Sequence, residues 1–381
     1  MFHCSSCSWE SLPSANIVRC EACHNPIYIR YEEKPKRTFF QPTYLDQKVP
    51  LPLNHVNDLI TLGEGDTPIV KMSRISEILQ AEVIAKLEYM NPTGSFKDRG
   101  SAIMISALFG FNIKEIVEDS SGNAGASISA YGAKSGIKTH IFTPSTAPIP
   151  KLNQIQIYGA VNHPISGTRD ETTEAALRYA SENDMPYASH NLSPYFIEGT
   201  KTFAYEIYAQ FGREIPTDII IPVGNGSLYL GMWKGFEELV INGAITFIPK
   251  LHCVQAKAVM PIAQAKENKS WSSDDSTPTR AGGIAVSSPP RLKQVLDVLT
   301  LTGGSVTTVE EDEIGESQIQ LSREEGIFGE PTSAAALAGL KKLITKGIIK
   351  SDSKILIPIT GFGLKDKMPL IATTDNDRMP I

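Results

Sequence analysis

The chain has 381 residues, enough for two or three domains with a large buried core. Its net charge of −6 and the lack of any run of five basic residues argue against nucleic acid as a partner. No apolar stretch reaches the roughly 18 residues that span a bilayer, and the first residues lack the basic and apolar regions of a secretory signal, so we expect a cytoplasmic protein without membrane contact.

The first 35 residues form a segment of their own, because four of the five cysteines fall there. They are paired as Cys4-x2-Cys7 and Cys20-x2-Cys23, with twelve residues between the pairs. Two such knuckles can direct four thiolates to one zinc ion, and a segment too short for its own core is stabilised by a metal. We predict a closed, structural zinc site of the ribbon type. Reduced cysteines in a frayed end are the alternative.

From Ile84 onward, apolar strands alternate with amphipathic helices, which is typical of parallel sheets covered by helices on both faces. Residues 36–60 are rich in proline and polar residues and are interpreted as an arm or linker. There are too many strands for one compact sheet, so we predict an α/β fold with two lobes. Residues 36–85 would form the arm and the start of the large lobe, residues 86–200 mainly the small lobe, and residues 201–381 the large lobe.

The predicted elements follow one another in a regular order, interrupted once. The strands are Ile69–Lys71, Val83–Leu87, Ile116–Glu118, Thr139–Phe142, Val161–Ile165, Tyr187–His190, Asp218–Val223, Leu251–Gln255, Ser305–Val309 and Lys354–Ile359. The helices are Ala102–Phe109, one beginning near Asn123, Lys151–Ile157, Asp170–Ser181, Tyr195–Phe211, Leu228–Val240, Met260–Glu267, Glu311–Glu324 and Pro331–Thr345. Residues 268–290 break the alternation and are predicted to be a long loop near a cleft.

Four loops that follow predicted strands carry unusual residues, and such loops form the binding sites of open α/β folds. The first runs from Asn91 to Gly100 and contains Lys97. A lysine at this turn can be kept from bulk water, which lowers its pKa and leaves a nucleophilic amine. Taken alone, an exposed lysine at the start of a helix explains this turn better.

Two further loops offer anion-binding groups. Ser120–Ser127 opens a helix, so its hydroxyls and the Asn123 amide can hold a carboxylate or an oxyanion. Pro222–Leu228 places two glycines and Ser227 at a strand-to-helix junction, where backbone N–H groups and the helix dipole form a cradle for a phosphate monoester. The cradle is neither a Walker A motif nor a dinucleotide fingerprint. An ordinary helix cap and a tight turn are the alternatives for these two loops.

The fourth loop, Thr360–Asp366, follows the last strand. The Thr360 hydroxyl can bond a ring nitrogen without making it cationic, although a glycine turn that ends a strand is the alternative. No Asp or Glu stands out as a partner for such a nitrogen, which favours elimination and replacement over transamination. A reactive lysine, a phosphate cradle, an Asn at a helix start and a neutral hydroxyl together suit pyridoxal 5′-phosphate, held by Lys97.

Taken together, these motifs resemble the fold-type II pyridoxal-phosphate enzymes (the tryptophan synthase β family) and, within them, the threonine synthases. The resemblance covers nearly the whole chain in the family's order. The segment Pro92–Gly100 is specific to the family, and Thr360–Asp366 points to the threonine synthase branch. The resemblance implies a lyase of amino-acid biosynthesis that acts on a small phosphorylated amino acid and assembles as a homodimer.

The resemblance also implies a role for each matching position. Lys97 is the Schiff-base lysine and main proton carrier, Asn123 bonds the phenolic oxygen of the cofactor, and Thr360 bonds its pyridine nitrogen. The cofactor phosphate is expected on Gly224, Asn225, Gly226, Ser227 and Leu228. The substrate is expected to contact Ser120 and Ser121 on its carboxylate side, and Lys86, Ser95 and Arg99 at its phosphate or a nearby charge.

Two positions depart from the threonine synthases. The chain has Ala124 where they usually have Thr, and Phe362 where they usually have His. Both positions lie close to the substrate in such folds, so the loss of a hydroxyl and an imidazole bears on the handling of the leaving group. Arg169 can supply a different anion contact, although a solvated arginine at a helix start is the favoured explanation.

The resemblance implies conversion of O-phospho-L-homoserine and water into L-threonine and phosphate. Two related reactions stay open, namely β-replacement on O-phosphoserine and the threonine or serine ammonia-lyase reaction. A catalytically silent paralogue is an alternative of a different class, and the intact Lys97, cradle and Thr360 argue against it.

Overall fold

The structure is a computed structural model that describes residues 1–31, 49–53, 59–147, 149–350 and 352–367. The arm predicted at residues 36–60 lies mostly outside these ranges. Within them, no helix combines the length and the apolar character needed to cross a membrane.

The described residues form three sheets. Their strands are β1 (Phe2–Cys4), β2 (Glu10–Ser11), β3 (Ile27–Ile29), β4 (Ile69–Lys71), β5 (Glu82–Lys86), β6 (Glu115–Glu118), β7 (Lys138–Pro144), β8 (Val161–Ile165), β9 (Asp218–Pro222), β10 (Lys250–Ala256), β11 (Val306–Val309) and β12 (Lys354–Pro358). The large sheet has the order β11-β10-β9-β12-β5-β4, the small sheet β6-β7-β8, and the N-terminal sheet β2-β1-β3.

Helices cover both larger sheets. They are α1 (Ser73–Leu79), α2 (Lys97–Gly110), α3 (Asn123–Ser135), α4 (Ile149–Ile157), α5 (Arg169–Glu182), α6 (Pro194–Thr200), α7 (Thr202–Phe211), α8 (Ser227–Ile241), α9 (Pro261–Lys266), α10 (Leu292–Thr302), α11 (Glu311–Glu325) and α12 (Pro331–Thr345). In the large sheet only β4 is antiparallel, and all pairs of the small sheet are parallel.

The large sheet is buried on both faces, as its central strand β9 illustrates. Ile219 and Ile221 pack into one hydrophobic cluster, whereas Ile220 between them packs into another. Neighbouring residues of a strand point to opposite faces, so a continuous apolar run indicates a sheet with helices on both sides. The predicted α/β fold is therefore confirmed. The domain boundaries at residues 35, 85 and 200 stay predictions.

Two predicted elements differ from the structure, and one helix of the structure was not predicted. The strand expected at Tyr187–His190 is reduced to a single bridge between Val117 and Tyr187. The long helix expected at Tyr195–Phe211 is two helices, α6 and α7, which meet at Lys201. Helix α10 was not predicted, although its buried Val295, Val298, Leu299 and Thr302 recur at helical spacing.

The N-terminal sheet packs against both larger lobes. The ring of Phe2 lies 5.5 Å from that of Tyr195 in α6. On the other side, the buried guanidinium of Arg291 donates to the carbonyl oxygen of Ile27 at 3.2 Å. The cysteine-bearing segment is thus packed against the rest of the protein and is not a frayed end.

Candidate active site

The four unusual loops line one cavity of about 810 Å³. Lys97 follows β5, Ser120–Ala124 follows β6, Gly224–Tyr229 follows β9, and Thr360 follows β12. Three of these strands belong to the large sheet and β6 belongs to the small sheet, so the cavity lies between the two. The long loop predicted at residues 268–290 supplies part of the wall. The carboxyl ends of the parallel strands therefore meet at one site, as this type of fold requires.

Lys97 is the first residue of α2 and is only partly exposed. Its Nζ lies 4.7 Å from the ring centroid of Phe96 and 5.8 Å from that of Phe196. Burial lowers the pKa of Lys97 to about 8, against the opposing charges of Glu118 and Glu330. At neutral pH a larger share of this amine is uncharged than in an exposed lysine, and the uncharged amine attacks carbonyl carbons.

The loop after β6 is held tightly against the start of α3. A Cβ added at Gly125 would lie 1.9 Å from the carbonyl oxygen of Ser120, so the turn requires glycine. Asn123 begins the helix, and its Nδ2 donates to Oε2 of Glu330 at 2.9 Å. Its Oδ1 is buried and has no hydrogen-bond partner within the described ranges. Ser120 and Ser121 line the cavity beside it.

The loop after β9 has the backbone of an anion cradle. Gly226 adopts a φ of +85° and caps α8, which begins at Ser227. A Cβ added at Gly224 would lie 3.0 Å from Cα of Ile284 and 3.0 Å from the side chain of Val286. The N–H groups of the first turn of α8 therefore lie at the cavity wall, where they and the helix dipole favour a negative charge.

Thr360 is buried beside an acidic residue that sequence analysis missed. Its hydroxyl donates to Oε1 of Glu330 at 2.8 Å and lies 2.9 Å from Oγ of Ser333. An acid thus lies beside Thr360, although none stood out in the sequence. Glu330 precedes Thr360 by 30 residues in the chain. Its backbone N–H donates to the carbonyl oxygen of Gly361 at 2.9 Å, which holds Glu330 beside Thr360. A hydroxyl has one proton, so with that proton on Glu330 Thr360 presents an acceptor to any further partner. It would therefore bond a ring nitrogen that carries a proton, not the neutral nitrogen expected from the sequence.

Lys86 and Arg99, two predicted substrate residues, lie in a buried ion cluster and not on the cavity wall. Nζ of Lys86 lies 2.5 Å from Glu206, and Arg99 binds Glu88 at 2.7 Å and Glu206 at 2.8 Å. Burial opposes ionisation of Glu206, but Arg99 and Lys86 hold its pKa at about 2. Both cations are already neutralised inside the protein, so the expectation that they contact substrate phosphate is corrected.

Ser95 also lies outside the cavity wall, although its hydroxyl is buried without a partner in the described part of the chain. Arg169, in contrast, lines the cavity as the first residue of α5. Its guanidinium lies 2.8 Å from the buried carboxylate of Asp119, and 46% of its side chain is exposed. Burial opposes the effect, yet Arg169 keeps the pKa of Asp119 below its usual value. Arg169 is thus anchored at one end and accessible at the other.

His190 is a second cavity residue that sequence analysis missed. Its Nδ1 lies 2.6 Å from Oε1 of Glu118, and its backbone N–H donates to Oε2 of the same carboxylate at 3.1 Å. Burial, then the nearby Lys97, lower the pKa of His190 well below its usual value. Burial, then Asp119, raise the pKa of Glu118. The sequence signal that could have pointed to this site is the pair of adjacent acidic residues, Glu118 and Asp119, at the end of a predicted strand.

The two departures from the threonine synthases have different surroundings. Ala124 lines the cavity. Phe362 does not, and its ring stacks on Tyr89 with 5.2 Å between centroids. Only the first departure therefore changes the cavity wall directly.

The four N-terminal cysteines converge. Sγ of Cys4 lies 3.4 Å from that of Cys23, and Sγ of Cys7 lies 3.6 Å from those of Cys20 and Cys23. All four sulfurs are within 4.8 Å of one another. Zinc–sulfur bonds of about 2.3 Å place tetrahedral sulfurs about 3.8 Å apart, so the cluster fits a zinc ion.

A family model described as "Pyridoxal-phosphate dependent enzyme" matches residues 60–361. The chain therefore belongs to the family of pyridoxal-phosphate-dependent enzymes. Solved structures agree with this fold. The threonine deaminase of T.th. superposes with a TM-score of 0.68 at 25% identity, covering 80% of this chain and 94% of that one. O-ureido-L-serine synthase superposes with a TM-score of 0.69 at 20% identity, covering 86% and 98%.

Within that family, the chain is similar to threonine synthases. It is 36% identical to the threonine synthase of Methanocaldococcus jannaschii over 320 residues, which cover 83% of this chain and 79% of the relative. It is 30% identical to that of Methanosarcina acetivorans over 383 residues, which cover 97% and 94%. The similarity to the Methanosarcina acetivorans protein thus extends over nearly the full length of both chains.

The cavity residues fit the cofactor of this family. Lys97 offers a partly buried amine with a lowered pKa, and the start of α8 offers a phosphate cradle. Oδ1 of Asn123 is buried without a hydrogen-bond partner in the described ranges, and buried polar atoms are nearly always hydrogen-bonded. This indicates that a polar group of a bound molecule is its partner.

Proposed function

We propose that this chain is a pyridoxal-phosphate-dependent threonine synthase, which converts O-phospho-L-homoserine and water into L-threonine and phosphate. One observation carries the proposal. A lysine with lowered pKa and a phosphate cradle line the same cavity, in a chain that is 30–36% identical to threonine synthases over most of its length.

The cofactor would be held at four points. Lys97 would hold its aldehyde carbon, Asn123 its phenolic oxygen and Thr360 its ring nitrogen. The loop Gly224–Leu228 would hold its phosphate through backbone N–H groups. Bound there, the cofactor supplies an electron sink that stabilises negative charge at the substrate α-carbon. Lys97 Nζ, once displaced by the substrate amine, takes the proton from that carbon and later returns one to it.

The substrate would lie between Ser120 and Ser121 on its carboxylate side and Arg169 on its phosphate side. The two hydroxyls lie at the start of α3, where the helix dipole favours a carboxylate. Arg169 keeps one end on Asp119 and leaves the other accessible, so its guanidinium is pre-oriented for a phosphate group. The enzyme must hold water back until phosphate has left, which a closure of the two lobes over the substrate would achieve.

A threonine or serine ammonia-lyase activity is the second candidate. It is favoured by Ala124, which removes a hydroxyl from the cavity wall, and by the likeness to a threonine deaminase at 25% identity. The two reactions share Lys97 and the cradle and differ in what they release. Threonine synthesis releases phosphate, whereas ammonia-lyase action releases ammonia and a 2-oxo acid.

A panel of substrates separates the candidates. The purified protein with pyridoxal phosphate is mixed in turn with O-phospho-L-homoserine, O-phospho-L-serine, L-threonine and L-serine, and phosphate, ammonia and amino acids are assayed. We expect L-threonine and phosphate in equal amounts from phosphohomoserine. Failure of phosphohomoserine to yield threonine would contradict the proposal, and ammonia from threonine would favour the second candidate.

We further propose that Cys4, Cys7, Cys20 and Cys23 hold one structural zinc ion. Four thiolates leave no open position for catalysis, so the ion would serve stability alone. The homodimer and the cytoplasmic location expected from sequence stay predictions, and light scattering of the purified protein would test the first.

A further inference from the structure

His190 and Glu118 are placed together by the fold, not by chance proximity of two surface groups. The backbone N–H of Ala188 donates to the carbonyl oxygen of Val117 at 2.8 Å, which aligns the segment before α6 with the end of β6. The Glu118 carboxylate then accepts hydrogen bonds from both the ring and the backbone N–H of His190. The imidazole therefore has a fixed position in the cavity wall.

One ring nitrogen of His190 is left for a bound molecule. Nδ1 is taken by Glu118 at 2.6 Å, and within the described ranges Nε2 has no hydrogen-bond partner. The lowered pKa of His190 keeps the ring neutral, so when Nδ1–H is donated to Glu118 the lone pair is on Nε2. A carboxylate behind an imidazole is the arrangement with which proteins hold a histidine ready to take up a proton.

Besides burial, the nearby charges keep His190 neutral at rest, because Lys97 and Arg169 lower its pKa and only Asp119 raises it. Asp119 and Arg169 form an ion pair, so Lys97 is the main uncompensated charge, and its effect disappears when its amine is neutral. Burial raises the pKa of Glu118, so its carboxylate readily accepts a larger share of the Nδ1 proton when Nε2 gains one. The pair as a whole can hold one extra proton away from water.

We propose that His190, held by Glu118, is a second acid–base residue of this cavity and takes the proton of the water molecule that adds at the substrate β-carbon. This inference rests on the proposed threonine synthase activity. In the step, an O–H bond of water breaks and its proton goes to Nε2. The oxygen bonds to Cβ, and the electron pair of the Cα–Cβ double bond moves to Cα, which Lys97 protonates. Phosphate has left Cγ before this step, so Nε2 afterwards gives its proton to the released phosphate ion that is still in the cavity.

This assignment divides the proton transfers between two residues. Lys97 acts at the α-carbon, while water addition at the β-carbon needs a base of its own. The ring of Phe362 lies against Tyr89 outside the cavity wall and offers no acid–base group to the cavity. In this chain, His190 brings an imidazole to the cavity from a different element.

The test compares His190→Asn and Glu118→Gln with wild type and with the control His163→Asn. His163 pairs with His140 at 3.0 Å on the small sheet and does not line the cavity. Three readouts are taken from the loaded enzymes. They are the visible spectrum of the cofactor, the exchange of the α-proton of L-threonine in D2O, and the amounts of threonine, 2-oxobutanoate, ammonia and phosphate formed from phosphohomoserine.

We expect His190→Asn to keep the cofactor spectrum and the α-proton exchange, while threonine formation falls about 100-fold. The substrate that has lost phosphate but gained no water at Cβ should then leave and hydrolyse to 2-oxobutanoate and ammonia. Glu118→Gln should shift products in the same direction by a smaller factor, and His163→Asn should match wild type.

Two outcomes would overturn the assignment. If His190→Asn forms threonine at the wild-type rate, His190 is not the base. If it loses spectrum, exchange and product together, His190 only supports the structure. A wild-type enzyme that makes no threonine would instead refute the proposed function on which the assignment rests.

Discussion

At Lys97, burial and two carboxylates act in opposite directions on one amine, and burial prevails. The folded protein has a pKa of about 8 for this group, below the value of about 10.4 for an exposed lysine. Between these two pH values the unfolded chain binds a proton that the folded chain lacks. The stability of the cofactor-free protein should therefore rise with pH across this window.

We predict that Lys97→Met stabilises the cofactor-free protein at pH 7, by up to about 3 kcal/mol, because it removes the cost of a buried charge. The gain should shrink above pH 8 and be nearly gone at about pH 10.5. Urea unfolding of both proteins at several pH values measures it. A gain that is the same at pH 7 and pH 10 would mean that charge burial is not its cause.

The sequence predicted the site residues that lie in contiguous motifs. It did not predict residues whose role depends on a partner far away in the chain. Lys97, Asn123 and Thr360 line the cavity as expected. Glu118 lies 72 residues from His190, so no local pattern joins them. Lys86 was misassigned because sequence shows a charge but not its partner, and Glu206 lies 120 residues away.

At the scale of elements, two glycines set how closely α2 approaches α6. A Cβ added at Gly199 would lie 2.0 Å from the carbonyl oxygen of Arg99, and one added at Gly100 would lie 2.3 Å from the ring of Phe196. The Phe196 side chain can rotate away from an added Cβ, but the Arg99 carbonyl is backbone and can move only if α2 moves. The position of α2, and with it Lys97, therefore depends on Gly199.

We predict that Gly199→Ala lowers the free energy of unfolding by about 2–3 kcal/mol and weakens cofactor binding, because α2 must move. Gly110→Ala, at the other end of α2, is the matched control. An added Cβ meets nothing there within 4 Å, so stability should be unchanged or rise by about 0.5–1 kcal/mol. Denaturant unfolding and cofactor titration test both variants. If Gly199→Ala is destabilised but binds the cofactor normally, the position of Lys97 does not depend on the packing of α6, and the prediction is wrong.

The regular elements were the most predictable part of the fold. Helix α12 and strand β8 have the predicted bounds. The proline at the first turn of α12 marks its start clearly, whereas β8 was predicted from a weaker signal. The break at Lys201 was not predictable in this way, since both helices continue one apolar pattern and only their packing against α2 and α8 separates them.

At the scale of the whole molecule, the N-terminal segment joins both lobes. Its Phe2 packs on Tyr195, and its Ile27 carbonyl accepts from Arg291 at the start of α10. The metal proposed for the four cysteines would therefore stabilise more than its own loop. A segment with so small an apolar core depends on such a staple.

We predict one zinc ion per chain by elemental analysis, and its loss in Cys20→Ser. The variant's thermal midpoint should fall by roughly 5–10 °C. Cys253→Ala is the control, since this fifth cysteine is buried in β10 and should leave the zinc content unchanged. A wild-type protein purified with zinc in the buffer and still metal-free would contradict the prediction.

The central claim is that the cavity holds its cofactor through Lys97, and chemical trapping tests this most directly. The protein loaded with pyridoxal phosphate is reduced with borohydride, digested and analysed by mass spectrometry. The account predicts the mass of one reduced cofactor on the peptide that contains Lys97, and none in Lys97→Arg. A reduced cofactor on Lys151, Lys365 or Lys367, the other lysines of this wall, or an unmodified Lys97 peptide would contradict it.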